Sequence, residues 1–284
     1  MKIVIFGLGN VGGAYLNYLK EQHDVFCVDP KFGKKFENGI YDLALICVET
    51  PFEEEKNSLD TTKIESCIKE ILNVTQDIDI VIKSTVPIGF TLSMIKKYDY
   101  RRIFASPEFL RQQNALEDIK NPSRIVIGTI DPTLPGINKY MSLFGKNNFV
   151  ITGLKEAEAI KLFSNAYLAM RLSFFNELDT FSELKGVNSS EVIRGLGFDP
   201  RIGDTYNTPG YGWGGSCLPK DVKELVNPKN HELDMVFNFS HTDTDNYLGI
   251  KYLPRKFKLT RFKKRLAKLQ YALSDNKGWN SLFI

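Results

Sequence analysis

The stretch Gly210-Tyr211-Gly212-Trp213-Gly214-Gly215-Ser216-Cys217-Leu218-Pro219-Lys220-Asp221 gathers residue types that covalent chemistry needs. Four glycines within six residues let a backbone pass close to a ligand, where a Cβ would clash. A cysteine is a nucleophile only as its thiolate, and a cation such as Lys220, three residues after Cys217, favours that form. Asp221 is of the type that orients water or moves a proton. An ordinary small, buried cysteine at the start of a helix fits the same letters. The stretch by itself leaves both readings open.

The elements that would position such a site begin at the other end of the chain. Lys2 to Phe6 is a short apolar, β-branched run, as a buried parallel strand requires. Gly7-Leu8-Gly9-Asn10-Val11-Gly12 follows, then a helical pattern to about Lys20, then a strand from Val25 to Val28 that ends at Asp29. Strand, glycine turn, helix, strand and acid in this order predict a dinucleotide site. Gly7 permits the tight turn, Gly9 admits a pyrophosphate, and Gly12 lets helix and strand pack closely. The phosphates would meet the free N–H groups where Asn10 and Val11 open the helix. Asp29 would bond the adenosine ribose hydroxyls and repel a 2′-phosphate, so NAD is expected rather than NADP.

Further alternation predicts a doubly wound α/β sheet. Strands are expected at Asp42 to Val48, Ile78 to Lys83, Arg102 to Ala105, Arg124 to Gly128 and Phe149 to Ile151, with a helix at Thr61 to Leu72. Thr50, Thr85 and Glu108 follow strand ends, where ligands bind in open α/β sheets, and together they suggest one crevice. Each alone also fits a turn-capping residue. From Leu154 to about Lys185 there is no proline and no interior glycine, and Ile160, Phe163, Tyr167, Met170 and Phe174 recur at three and four, which predicts one long helix. Lys161 and Asn165, four apart, share a face of it, although a lysine there also fits a surface residue with a buried stem. A short helix from Ser190 to Gly195 leads to Asp199-Pro200-Arg201 and the glycine stretch.

Composition limits the class. A chain of 284 residues, 43% hydrophobic and 25% charged, is of ordinary globular type and long enough for about two domains. No apolar run is long enough to span a membrane. The apolar start imitates a signal peptide but lacks a small-residue cleavage site, and its glycines belong to the dinucleotide pattern. Cys27, Cys47, Cys67 and Cys217 form no CxxC pair, which points to reduced thiols in a cytoplasmic protein and to no metal. Nine of the 37 basic residues and no acidic one fall between Lys251 and Lys268, so the rest of the chain is net acidic. That body gives no reason to expect nucleic acid; the basic tail alone leaves a salt-sensitive anion-binding reading.

Five separated motifs together resemble the UDP-glucose 6-dehydrogenase family. They are Gly7 to Gly12, Ser84-Thr85-Val86-Pro87-Ile88-Gly89, Ser106-Pro107-Glu108-Phe109-Leu110-Arg111, and Lys161-Leu162-Phe163-Ser164-Asn165 with Phe175-Asn176-Glu177-Leu178-Asp179. The fifth and most specific runs from Asp199-Pro200-Arg201-Ile202-Gly203 to Cys217-Leu218-Pro219-Lys220-Asp221. The resemblance covers about residues 1 to 226. Phe175 to Asp179 and Asp199 to Gly203 are more similar to the UDP-glucose branch than to relatives acting on UDP-N-acetylmannosamine or GDP-mannose.

The resemblance implies two successive NAD-dependent oxidations at one carbon, from a sugar CH2OH to a carboxylate. Cys217 would form a thiohemiacetal and then a thioester. Lys161 and Asn165 would stabilise the oxygen at C6, Asp221 would hold water, and Glu108 would act as general acid and base. Thr50, Thr85, Lys34 and Lys220 would line the NAD site with Asp29. Phe109, Leu110, Arg111, Tyr206, Asn207, Thr208, Pro209, Gly210 and Gly214 would line the UDP-glucose or related nucleotide sugar. Arg201 would reach the phosphates held by a neighbouring subunit, which implies a homodimer through the long helix.

The organisation expected is a Rossmann-type NAD domain at 1–152, a central helical and catalytic-cysteine domain at 153–226, and a divergent basic tail at 227–284 in place of a second α/β domain. Two departures from the family pattern accompany this. Gln112 stands where short bacterial members carry a glutamate, so base chemistry is assigned to Glu108 and Asp221. A chain without the second domain would grip the nucleotide weakly, which leaves a catalytically impaired, NAD-binding dimer as the rival reading.

Overall fold

The computed structural model describes residues 1–226 apart from residues 38, 146, 211 and 216, and apart from the side chains of Gln112 and Val226. The segment 227–284, read above as a divergent basic tail, lies outside the described residues. The chain divides into two compact units, Met1–Leu162 and a second beginning at Phe163.

The first unit starts with β1 (Lys2–Phe6), α1 (Asn10–Leu19), β2 (Asp24–Val28) and β3 (Leu43–Ile46). A small hairpin of β4 (Phe52–Glu53) and β5 (Ser58–Leu59) precedes α2 (Thr62–Val74), β6 (Asp79–Ile82), α3 (Phe90–Tyr98) and β7 (Ile103–Ala105). Then come α4 (Ala115–Lys120), β8 (Ile125–Gly128), α5 (Pro135–Ser142), β9 (Phe149–Thr152) and the first turns of α6 (Leu154–Lys185). The main sheet runs in the order β2-β1-β3-β6-β7-β8-β9.

Period-two side-chain alternation decides how this sheet is covered. Val4, Phe6, Ala44, Ile46, Ile80 and Ile82 face a core completed by Ile64, Ile68 and Ile71 of α2 and by Met94 and Ile95 of α3. Ile3, Ile5, Leu43, Leu45 and Val81 face the other way, onto Ala14, Tyr15 and Leu19 of α1 and onto Ile137 and Tyr140 of α5. Helices therefore cover both faces, as the doubly wound reading expects. Truncating a fully buried residue such as Ile80 to alanine would cost about 2–5 kcal/mol.

Chain order reverses between β1 and β3. The first crossover leads from β1 to β2, and the chain then returns across β1 to β3. Such a switch point opens a crevice at the carboxyl ends of the two strands, where Gly7 lies. One feature differs from a uniformly parallel sheet: β7 and β8 pair antiparallel, at Ala105 with Gly128, while β8 and β9 pair parallel. The last two strands therefore end at the opposite edge, and the candidate site residues follow the ends of β1, β2, β3, β6 and β7.

The second unit holds the body of α6, α7 (Ser189–Gly197) and α8 (Leu218–Val226). Asn188 caps α7 by accepting from Ser190 N–H. On α6, Ala166, Ala169, Leu172 and Phe175 are buried, whereas Phe163, Tyr167, Phe174 and Phe181 are exposed.

Candidate active site

In the first unit the glycine turn has the geometry its sequence demands. Gly7 has φ of 87°, and a Cβ there would lie 2.9 Å from the Cys47 carbonyl oxygen, just past β3. A Cβ on Gly12 would lie 1.9 Å from the Gly7 carbonyl oxygen, so only glycine lets α1 pack this close. Above Gly9 the space is open: a Cβ there would meet nothing within 4 Å. Gly9 caps α1 with no side-chain acceptor, and no acidic residue occupies the first turn. The N–H groups that α1 leaves unpaired thus open a helix with no acidic side chain in its first turn, which suits a pyrophosphate.

Asp29 is buried, and its carboxylate accepts from Leu8 N–H at 2.7 Å and from Lys31 N–H at 2.9 Å. It therefore fastens the glycine turn to the end of β2 as well as keeping acceptor positions for ribose hydroxyls. Lys34 is held beside it by a two-residue bridge, with Asp29 N–H donating to Lys34 O and Lys34 N–H to Asp29 O. These groups fit NAD: open space above Gly9, a helix start without acids in its first turn, and an acid at the ribose position.

Of Thr50, Thr85 and Glu108, which were expected to share one crevice, the first two are joined directly, and Glu108 pairs with Lys161. The Thr50 hydroxyl donates to the Thr85 carbonyl at 2.8 Å, and the Ser84 hydroxyl donates to Val48 O at 2.6 Å, tying the loops after β3 and β6. A small cleft beside them is lined by Ser84, Thr85, Pro107, Glu158 and Lys161 over Ile82, Val86 and Ala105. Lys161 is not a surface residue with a solvated head: it is 5% exposed, and its ammonium lies 3.3 Å from Glu108 and 5.5 Å from the centre of the Phe109 ring. The other Glu108 oxygen accepts from Leu110 N–H at 2.6 Å. Arg111 turns instead to Asp118, in a forked pair at 2.6 Å on the surface.

Glu158 is the residue in this cleft that the motifs did not single out. It is buried, and its carboxylate accepts from Gly89 N–H at 2.5 Å and Thr91 N–H at 2.8 Å, capping α3 from another helix. Burial pushes its carboxyl above the ordinary glutamate value, against the pull of those bonds and of Lys155. Its position one turn before Lys161 on the same helix face is the signal that could have found it.

In the second unit Asp221 is fully buried. Asn165 Nδ2 donates to one of its oxygens at 2.5 Å, and Lys220 Nζ to the other at 2.6 Å. Lys220 thus neutralises Asp221. Cys217 sits in the turn before α8 with an exposed side chain and no disulfide, and its carbonyl accepts from Asp221 N–H at 3.2 Å. The alternative of a buried structural cysteine is not what the fold adopts. Arg201 is exposed and paired with Asp199 at 2.6 Å. Tyr206 has a positive φ of 51°, and Gly210 N–H donates to Asn176. Asn207, Thr208, Pro209 and Gly214 belong to the same loop.

Comparison with known proteins identifies the family. A sequence model of the UDP-glucose/GDP-mannose dehydrogenase family's NAD binding domain matches residues 31–144, and that of the family's central domain matches residues 155–243. UDP-glucose 6-dehydrogenase of Campylobacter jejuni is 44% identical over 191 residues, which are 65% of this chain and 48% of that protein. The chain spans about half the length of such curated relatives. A putative UDP-glucose 6-dehydrogenase of Bacillus subtilis is 32% identical, over 93% of this chain and 72% of its own length. Residues 1–226 cannot supply that coverage, so the likeness runs into the segment held above to be unlike the family. Motif reading stops where motif residues stop, whereas alignment accumulates weak matches beyond them. A UDP-glucose dehydrogenase from Pyrobaculum islandicum superimposes with a TM-score of 0.70 at 27% identity, over 79% of this chain and 63% of that one. With both domain models met in chain order and a relative matched over most of its length, this chain belongs to the UDP-glucose/GDP-mannose dehydrogenase family.

Proposed function

We propose that the chain oxidises UDP-glucose, or a close nucleotide sugar, twice at C6 to give the uronic acid, through a covalent bond to Cys217. The observation that carries this reading is the Lys161–Glu108 pair, an ammonium and a carboxylate 3.3 Å apart and nearly sealed from water beside an open cleft. A donor fixed in place in a dry site stabilises a developing oxyanion far better than one in water. NAD, when bound, accepts a hydride at each of the two oxidations. Glu108 takes the proton of the C6 hydroxyl as the alcohol becomes an aldehyde. The Cys217 thiolate then bonds to the aldehyde carbon, and Lys161 and Asn165 balance the charge on its oxygen. Loss of hydride leaves a thioester, and water breaks the carbon–sulfur bond to release the carboxylic acid and the thiol. Asp221, neutralised by Lys220 and oriented by Asn165, holds that water.

The exposed apolar residues Phe163, Tyr167, Phe174 and Phe181, at steps of four and seven on α6, support pairing with a second copy. Arg201, exposed and paired with its neighbour Asp199, is then the residue that reaches the partner's nucleotide. Among the described residues no helix is long and apolar enough to cross a membrane. The test is NADH formation by the purified chain with UDP-glucose. Two NADH per sugar consumed supports the covalent route; one per sugar, with free aldehyde, refutes it.

A further inference from the structure

We infer that α6 positions the glycine-rich loop ahead of Cys217, and that Asn176 is the residue on which this positioning turns. The inference rests on the reading above, in which that loop lines the nucleotide sugar.

Three polar side chains on α6 meet the loop in succession. Arg171 holds its entry: Nε donates to Thr205 O at 2.7 Å and Nη2 to Gly203 O at 3.0 Å, with the guanidinium 5.1 Å from the centre of the buried Phe175 ring. Asn176 holds the middle, its Oδ1 accepting from Gly210 N–H at 2.7 Å. Ser173 holds the far part, where its hydroxyl oxygen accepts from the Nε1–H of buried Trp213 at 2.9 Å.

The backbone between these ties needs them. Tyr206 sits in the left-handed region at φ 51°, which a bulky residue adopts only where its surroundings over-determine it. Arg171 grips the carbonyls one and three residues before it. Beyond Tyr206 the glycines at 210, 212, 214 and 215 would otherwise give the chain wide conformational freedom. Asn176 supplies the tie in the middle of that span. Its Oδ1 is engaged, whereas its Nδ2 is buried with no hydrogen-bond partner among the described residues. An aspartate therefore keeps the acceptor that Gly210 N–H uses, at the cost of a buried charge, and an alanine removes it. Asn176 is thus a positioning residue that acts on the sugar nucleotide through the loop.

The test compares the 284-residue chain with its Asn176→Ala and Asn176→Asp variants by hydrogen exchange and by calorimetric titration with UDP-glucose and with NAD. Asn176→Ala should speed amide exchange around Gly210 by about tenfold or more, because local opening no longer breaks a side-chain bond. It should weaken UDP-glucose binding by a similar factor and leave NAD binding unchanged, whereas Asn176→Asp, which keeps the acceptor, should retain slow exchange at Gly210 even where its buried charge lowers overall stability. Unchanged exchange in Asn176→Ala overturns the inference, as does a loosened loop that binds UDP-glucose as tightly as before. A parent chain that binds no UDP-glucose, with a loop that still loosens in Asn176→Ala, supports the anchorage and refutes the assignment of the loop to the sugar nucleotide. Should Asn176→Ala not fold, Arg171→Lys replaces it: it keeps the charge but cannot span two carbonyls, and faster exchange from Gly203 to Tyr206 is the expected result.

Discussion

Replacing Lys161 by methionine keeps most of its volume and removes its charge. The ammonium lies 3.3 Å from Glu108, and the two side chains are 6% and 13% exposed. At an effective dielectric constant of about 20, this separation corresponds to a gross attraction of about 5 kcal/mol. Desolvation of both ions offsets much of it, so the pair contributes far less than that to net stability. Removing one partner is a different matter, because Glu108 then stays in a nearly dry site without its cation. Such orphaned charges cost about 3–5 kcal/mol. Glu108 keeps its bond from Leu110 N–H, which places the expected loss near the lower end, about 3 kcal/mol. Glu108→Gln in the same background removes the orphan, so the double variant should recover part of the loss, with a coupling of about 1–3 kcal/mol. Urea unfolding of the four proteins measures this. In the same set, kcat of Lys161→Met should fall by about 10²-fold or more if the ammonium faces the oxyanion. Strictly additive stability losses would show that the pair is not coupled. A kcat within about threefold of the parent would remove Lys161 from the chemistry.

Gly12→Ala should abolish NAD binding, because its Cβ would fall 1.9 Å from the Gly7 carbonyl oxygen; a variant that binds NAD normally in calorimetry refutes the close-packed turn. Asp29→Ala should weaken NAD binding and narrow the preference over NADP, and because Asp29 also ties Leu8 and Lys31 it should lower the melting temperature. Iodoacetamide at pH 8 should label Cys217 well before Cys47 or Cys67, whose thiols burial pushes up to about 12; mass spectrometry that finds Cys47 labelled first contradicts this. Glu158 is held above its ordinary value by burial, so the folded chain binds its proton more tightly than the unfolded chain. The stability this supplies is full below the unfolded value of 4.5 and is lost as pH rises through the folded value. Stability measured upward from pH 4.5 should therefore decline less steeply in Glu158→Gln, and an identical slope would show that Glu158 does not titrate there.

The local elements of this protein were legible because each is set by short-range rules. The turn from Gly7 to Gly12 is dictated by backbone geometry, and the limits of α6 by a run without proline or interior glycine, so both stand where the letters place them. The layering was legible because alternate residues of β1, β3 and β6 are apolar on both faces, which requires helices on both sides. The antiparallel junction of β7 and β8 was not, since strand direction depends on where the connection crosses and not on the strand's own residues. The pairing and burial of ionisable residues were likewise decided by the tertiary structure, which sequence spacing does not encode. Lys161 fits either a solvated surface or a sealed ion pair until Glu108 is brought to it across 53 positions of chain. Glu158 is an ordinary helical glutamate until the N-terminus of α3 is laid against it, and the bond of the Lys220 ammonium to the buried Asp221 is equally hidden in the sequence. Residue type and spacing determined which chemistry the chain could support; only the folding of distant segments onto one another decided which charges are paired, which are buried, and which helix holds the loop.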